Sequence, residues 1–143
     1  SSYDAFVEIG SEDIRNADPN GINIPASAWI ITERVGMPEC QLTLSQAAIY
    51  MACAPKSNAS AMAIWTAASE VREGRTIPVP RHLRDAHYAA STKLGHGEKY
   101  AYPHDSADGY IPQEYLGVDR VYYAPPDRGF ESEIRRRLEQ LKK

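Results

Sequence analysis

This chain of 143 residues has only two cysteines. Cys40 and Cys53 stand thirteen positions apart, with no CxxC and no histidine at ligand spacing. That argues against a disulfide framework and against a zinc site. Two free thiols in a reducing cytosol are expected. A basic excess is also missing: 16 Lys and Arg against 19 Asp and Glu leave a formal net charge of −3. A dedicated nucleic-acid binder usually carries a positive balance, because phosphate neutralisation dominates its affinity. No apolar run approaches the roughly 20 residues that span a bilayer, so no membrane partner is expected. The opening Ser1-Ser2-Tyr3-Asp4 has neither the basic nor the apolar region of a signal peptide. It has no initiator Met either, so the chain is read as a piece of something longer, in the cytoplasm. Phosphate loops of the GxxxxGK[ST] and GxGxxG types are absent, as is a GxSxG nucleophile elbow. No catalytic, cofactor-binding or metal-binding residue is therefore assigned, and the chain is not expected to be an enzyme by itself.

What is present is material for a core. Hydrophobic residues make up 43%, near the ordinary globular share, and the length suits a single domain over residues 1–143. The fold class expected is mainly all-α. Residues 2–15 read as a helix, stopped by the turn formers Asn16-Ala17-Asp18-Pro19-Asn20-Gly21. A second helix spans residues 21–35. Pro25 falls inside it, and proline is best tolerated in a first turn, so its regular part is placed from Ile24. Residues 39–54 read as a third helix with almost no polar face, hence buried on several sides at the centre of the domain. A fourth, capped by Ser57 or Asn58 and slimmed by five alanines, runs to about Glu73, where Gly74 closes it. These segments form a bundle-like helical core over about 2–74.

The second half is broken by Pro78, Pro80, Pro103, Pro112, Pro125 and Pro126. Within it, only residues 85–94 look helical. Six tyrosines between positions 100 and 123 are too many for a disordered linker. Residues 75–126 are therefore read as an ordered, irregular strap, its tyrosines packed on the helices with hydroxyls outward. Short extended pairs are expected near Tyr100 and Tyr122. The terminal helix, 127–141, repeats Phe130, Ile134, Leu138 and Leu141 at helical spacing and carries three acid-then-base pairs four apart, beginning with Glu131 and Arg135.

Candidate chemistry is thin. His82, His87, His96 and His104 match no compact ligand pattern and are read as surface or hydrogen-bonding residues. The acids at 12, 13 and 18, and the pair Asp105 and Asp108, suit capping and turns. Cys53, in the most apolar helix, is read as inert. Arg81, Arg84 and Lys99 are the candidates for contact with DNA or a partner protein. A second basic patch, on the last helix, is interleaved with Glu and reads as a solvated face. Trp29, Met37, Tyr50 and Trp65 are the candidates for subunit contact, each also suited to a core position.

Six stretches carry a resemblance. In order they are Ser11-Glu12-Asp13-Ile14-Arg15-Asn16-Ala17-Asp18-Pro19, Val35-Gly36-Met37-Pro38-Glu39-Cys40, Ala54-Pro55-Lys56-Ser57-Asn58, Val79-Pro80-Arg81-His82-Leu83-Arg84-Asp85-Ala86, Leu94-Gly95-His96-Gly97-Glu98-Lys99-Tyr100-Ala101-Tyr102 and Asp127-Arg128-Gly129-Phe130-Glu131. Over residues 11–141 the chain closely resembles the C-terminal region of the RarA/MgsA family, AAA+ ATPases of the replication fork related to clamp loaders and to the Werner helicase-interacting ATPase. The resemblance implies a helical domain similar to the clamp-loader collar. It implies a non-catalytic role in holding subunits together, as a homotetramer, within a protein of DNA replication, recombination and repair. ATP and magnesium would belong to a AAA+ module outside this chain, and DNA and single-strand-binding protein would be partners through the parent. The alternative is a module that itself binds DNA or a partner protein. There are departures. Arg15 stands where the family usually has Gly, which counts against a left-handed helix end there. Asp85-Ala86-His87-Tyr88 replaces a common Asn-Ala-Pro-Thr, and residues 1–10 match poorly.

Overall fold

The computed structural model describes residues 2–84, 96, 97, 99–107 and 109–142. Among them it is all-α, with five α-helices and no strand: α1 (Ser2–Ile9), α2 (Asn20–Val35), α3 (Cys40–Cys53), α4 (Ala59–Arg72) and α5 (Glu131–Leu141). The extended pairs expected near Tyr100 and Tyr122 are not formed. The helix expected over 85–94, with His87 and its neighbours, lies outside the described residues, as does Asp108. The chain divides into two compact units, residues 1–66 with 122–142 and residues 67–121 with 143, the division falling inside α4.

In the first unit α2 packs on α3, on α1 and on the segment that follows α1. The single helix expected over 2–15 is broken. After Ile9 the chain opens into a π-helical turn at Gly10–Ile14 and tightens into a 3-10 turn at Arg15–Ala17. Pro25 explains part of this. The helix begins at Asn20, not near Ile24, so the proline lies in its interior. Having no N–H, it gives the Gly21 carbonyl no helical donor. Gly10 sits directly against that carbonyl: a Cβ added at Gly10 would collide with the Gly21 oxygen. The two backbones approach as only glycine allows.

The buried apolar residues are Ile14, Ala17, Ala28, Cys40, Ala47, Met51 and Ala61. Most are small, which fits helices that lie close together. The expectation that α3 is buried on several sides is overturned. Only Cys40, Ala47 and Met51 of α3 are buried, while Leu42 is 80% exposed and Ile49 is exposed too. Its apolar residues occupy opposite sides, and α2 covers one of them. Cys53 is exposed rather than enclosed, and both thiols are free.

α4 starts as expected from Ser57, whose Oγ accepts the Ala59 N–H at 3.2 Å. Gly74, at φ +75°, ends it. There the Arg75 N–H returns to the Glu70 carbonyl at 2.9 Å and the Gly74 N–H to that of Val71 at 3.1 Å, which satisfies two orphan carbonyls.

Beyond the end of α4, the described residues of the second unit form turns and short 3-10 segments. Its tyrosines meet one another and His104: Tyr110 and Tyr115 stack with ring centroids 6.2 Å apart, and Tyr102 lies 5.0 Å from His104. Gln113 ties the loop by donating to the Ala101 carbonyl and the Tyr115 hydroxyl, both at 3.2 Å. Arg120 pairs with the buried Glu70.

Candidate functional site

Three stretches distant in sequence meet in the first unit: 11–19, 54–58 and 127–131. The Ser57 N–H donates to the Asp13 carbonyl at 2.8 Å, and the Phe130 N–H donates to the Ala17 carbonyl at 2.8 Å. Arg128 Nη1 reaches the Lys56 carbonyl at 2.8 Å. Gly129, at φ +54°, packs so closely that a Cβ would strike the Ala17 carbonyl oxygen and lie 2.9 Å from Pro55. This junction ties α5 to the start of α2 and the start of α4.

Inside it sits an acid that sequence reading placed on the surface. Glu131 opens α5 and is 0% exposed. It does not pair with Arg135, whose Nε instead meets Glu139 at 3.2 Å. Glu131 Oε1 accepts the Tyr123 hydroxyl at 2.8 Å, and that hydroxyl accepts Asn16 Nδ2 at 3.3 Å. Glu131 Oε2 has no partner. A buried carboxylate with an unmade bond is costly; its place in the first turn of α5 offsets part of that, since the helix end there is positive. The Tyr123 hydroxyl thus points inward, against expectation, and burial holds its pKa above the usual phenol value. Nearby, the Tyr50 hydroxyl donates to Asp18. That bond, then desolvation and the Asp18 charge, raises the Tyr50 pKa. Asp18 Oδ1 also accepts the Asn20 N–H at 3.0 Å, the capping role expected of it.

Three hollows flank the junction, one of them, of about 460 Å³, lined by Ala17, Pro55, Gly129 and Phe130 among others. Another, of about 640 Å³, is lined by Arg15, Asn16, Ile22, Ala61, Ile64 and Trp65 among others. The third, of about 310 Å³, is lined by Glu12, Asp13, Arg15, Lys56, Ser57, Asn58 and Arg128. Arg15 borders the last two. Its backbone takes φ +47° and ψ −132°, so the chain adopts a left-handed φ at this position without a glycine. None of these hollows has the buried, opposed titratable pair that acid–base chemistry requires. Among the described residues no group of His, Cys, Asp or Glu is arranged to hold a metal ion.

The residues singled out from sequence are divided between the two units. In the first unit Trp29 is half-buried beside Val7 and Glu8. Tyr50 is half-buried on Asp18. Met37 is 67% and Trp65 59% exposed, so neither belongs to this chain's own core. Met37 Sδ accepts the Cys40 thiol at 3.3 Å. In the second unit Arg81 and Lys99 are exposed, in segments linked by the Gly97 N–H on the Arg81 carbonyl at 3.0 Å. Arg84 is half-buried, and its Nε is committed to the Val79 carbonyl at 2.7 Å. Sequence reading missed the grouping of Arg15, Lys56 and Arg128. The only signal it had was Arg15 at a glycine-like position.

Comparison with known proteins follows the same lines. The family described as MgsA AAA+ ATPase C terminal matches residues 6–142. Replication-associated recombination protein A of Coxiella burnetii is 41% identical over 143 residues, covering 96% of this chain and 32% of that protein. The protein of the same name in Escherichia coli K12 is 39% identical over 139 residues, 94% of this chain and 31% of its own length. ATPase WRNIP1 of Dictyostelium discoideum is 37% identical over 116 residues, 78% of this chain and 13% of that protein. The chain thus spans about a third of the length of its bacterial relatives.

Proposed function

Because the chain belongs to the MgsA AAA+ ATPase C-terminal family, we propose that it serves as the non-catalytic assembly domain of a AAA+ ATPase acting in replication-associated recombination. Its relatives' names supply the process. ATP and magnesium are assigned to a AAA+ module of the parent, with DNA and single-strand-binding protein as partners of the whole. One observation carries the assembly role: large apolar side chains left in solvent on two helices successive in the chain. Leu42 and Ile49 on α3, and Met62, Ile64 and Trp65 on α4, are all exposed. Single surface apolars are ordinary, but large ones exposed in this number on successive helices suit an interaction surface. Burying each such side chain is worth about 1.5–3 kcal/mol, enough in sum to drive association of copies. The chain weighs 15.9 kDa. Size-exclusion chromatography with light scattering should give a mass that rises with concentration toward a small multiple of that value, four copies being the family expectation. A strict monomer at the highest concentrations would remove the self-assembly role for this chain.

A second reading rests on the second unit. Exposed Arg81 and Lys99 on linked segments suit contact with a DNA backbone or an acidic partner, whereas the Nε of Arg84 is already used. Fluorescence titration with forked DNA at low salt tests it, and salt-insensitive or absent binding rejects it.

A further inference from the structure

The small hollow beside the junction holds three cations from three distant parts of the chain: Arg15, Lys56 and Arg128. Among the described residues none of them is ion-paired with a carboxylate. Backbone carbonyls hold them instead. Arg15 donates through Nε to Ser11 O at 3.0 Å and through Nη1 to Ser57 O at 3.2 Å. Arg128 donates to Lys56 O, and Lys56 Nζ lies 3.4 Å from the Met51 and Ala54 carbonyls. These bonds position the cations without neutralising them and leave the remaining guanidinium N–H groups uncommitted. Ser57 is only 7% exposed. Its Oγ accepts the Ala59 N–H, and its hydroxyl proton has no acceptor among the described residues. The Arg15 backbone is held at a positive φ that glycine would occupy without strain. A side chain kept there at a cost in backbone energy is one whose guanidinium is used.

We propose that Arg15, Lys56, Arg128 and the Ser57 hydroxyl form a binding site for a phosphate group. The geometry suits a compact tetrahedral oxyanion met by charge-assisted donors from several sides. Glu12 and Asp13, exposed and lining the same hollow, oppose it and limit its affinity. The phosphate comes either from a free phosphate or from a nucleic-acid backbone, and two probes separate these sources.

The test uses the full 143-residue chain. Inorganic phosphate is titrated by amide NMR against sodium chloride of equal ionic strength, and labelled dT20 is titrated by anisotropy. Phosphate should cause saturable shifts centred on residues 15, 57, 58 and 128. Arg15→Gly, which relieves the backbone while removing the cation, should weaken phosphate binding by about tenfold or more and leave the thermal midpoint within a few degrees of the parent. Lys56→Gln should weaken binding to a similar degree, so the result does not depend on one variant. Glu12→Gln should tighten it severalfold. If dT20 binds and phosphate displaces it, the site takes a nucleic-acid backbone; if phosphate alone binds, it takes a free anion. Shifts that merely track ionic strength would overturn the proposal. So would binding unchanged in both Arg15→Gly and Lys56→Gln.

Discussion

The two units are held together by different means. Every buried apolar residue among those described lies in the first unit, and most are small: Ala17, Ala28, Ala47, Ala61 and Cys40, with Ile14 and Met51 as the larger ones. The described residues of the second unit include none. This unit holds its shape by turn hydrogen bonds, ring contacts and the Arg120–Glu70 pair. The first unit is a close-packed helical core with large apolar groups left over on its surface. Among the described residues of the second, aromatic and polar contacts predominate. The contrast places stability in the first unit, whose surplus apolar surface is what the proposed assembly role rests on.

Substitutions can break that contrast. The largest effect is expected for Ile14→Ala. The side chain is fully buried, and the loss should be about 2–4 kcal/mol in urea unfolding. Tyr110→Ala in the second unit should cost under about 1 kcal/mol. Equal losses would contradict the division. Gly129→Ala should cost about 2 kcal/mol or more, since it adds both a strained φ and a collision with the Ala17 carbonyl; a melting temperature within a degree or two of the parent would show that the junction yields. Tyr123→Phe should cost about 1–3 kcal/mol, because it strips a buried carboxylate of its one hydrogen bond. Adding Asn16→Ala should then cost little more if the three act as a network.

The smallest effect is one of pH. The Tyr50 pKa is raised in the folded chain by its bond to Asp18. The folded state therefore holds that proton more tightly than the unfolded state does. The contribution is complete below the unfolded phenol pKa of about 10 and is lost as pH rises above it. Urea midpoints of Tyr50→Phe and parent should differ most at neutral pH and converge in alkali. A constant gap would deny the linkage.

Much of the fold is legible in the sequence because periodicity and punctuation are local. The extents of α3 and α4, the Ser57 cap and the Gly74 stop follow from such signals. What failed depended on partners. The composition of α3 announces apolarity but not which of its sides is covered, so Leu42 was read as core. Glu131 has a good pairing partner four residues on, yet burial against Tyr123, distant from it in role, prevails. Pro25 was placed in a first turn because its approach to Gly10 is a tertiary fact. The cluster of Arg15, Lys56 and Arg128 is spread over more than a hundred positions, and no spacing rule reaches that far.

The account turns on the uncovered side chains of α3 and α4. Sedimentation equilibrium of the parent chain, of the double variant Leu42→Glu with Trp65→Glu, and of Tyr102→Glu in the second unit tests it most directly. The predicted result is a self-associating parent, a monomeric and still helical double variant, and a Tyr102→Glu chain that associates like the parent. A double variant that assembles unchanged, or association lost only in Tyr102→Glu, would contradict it.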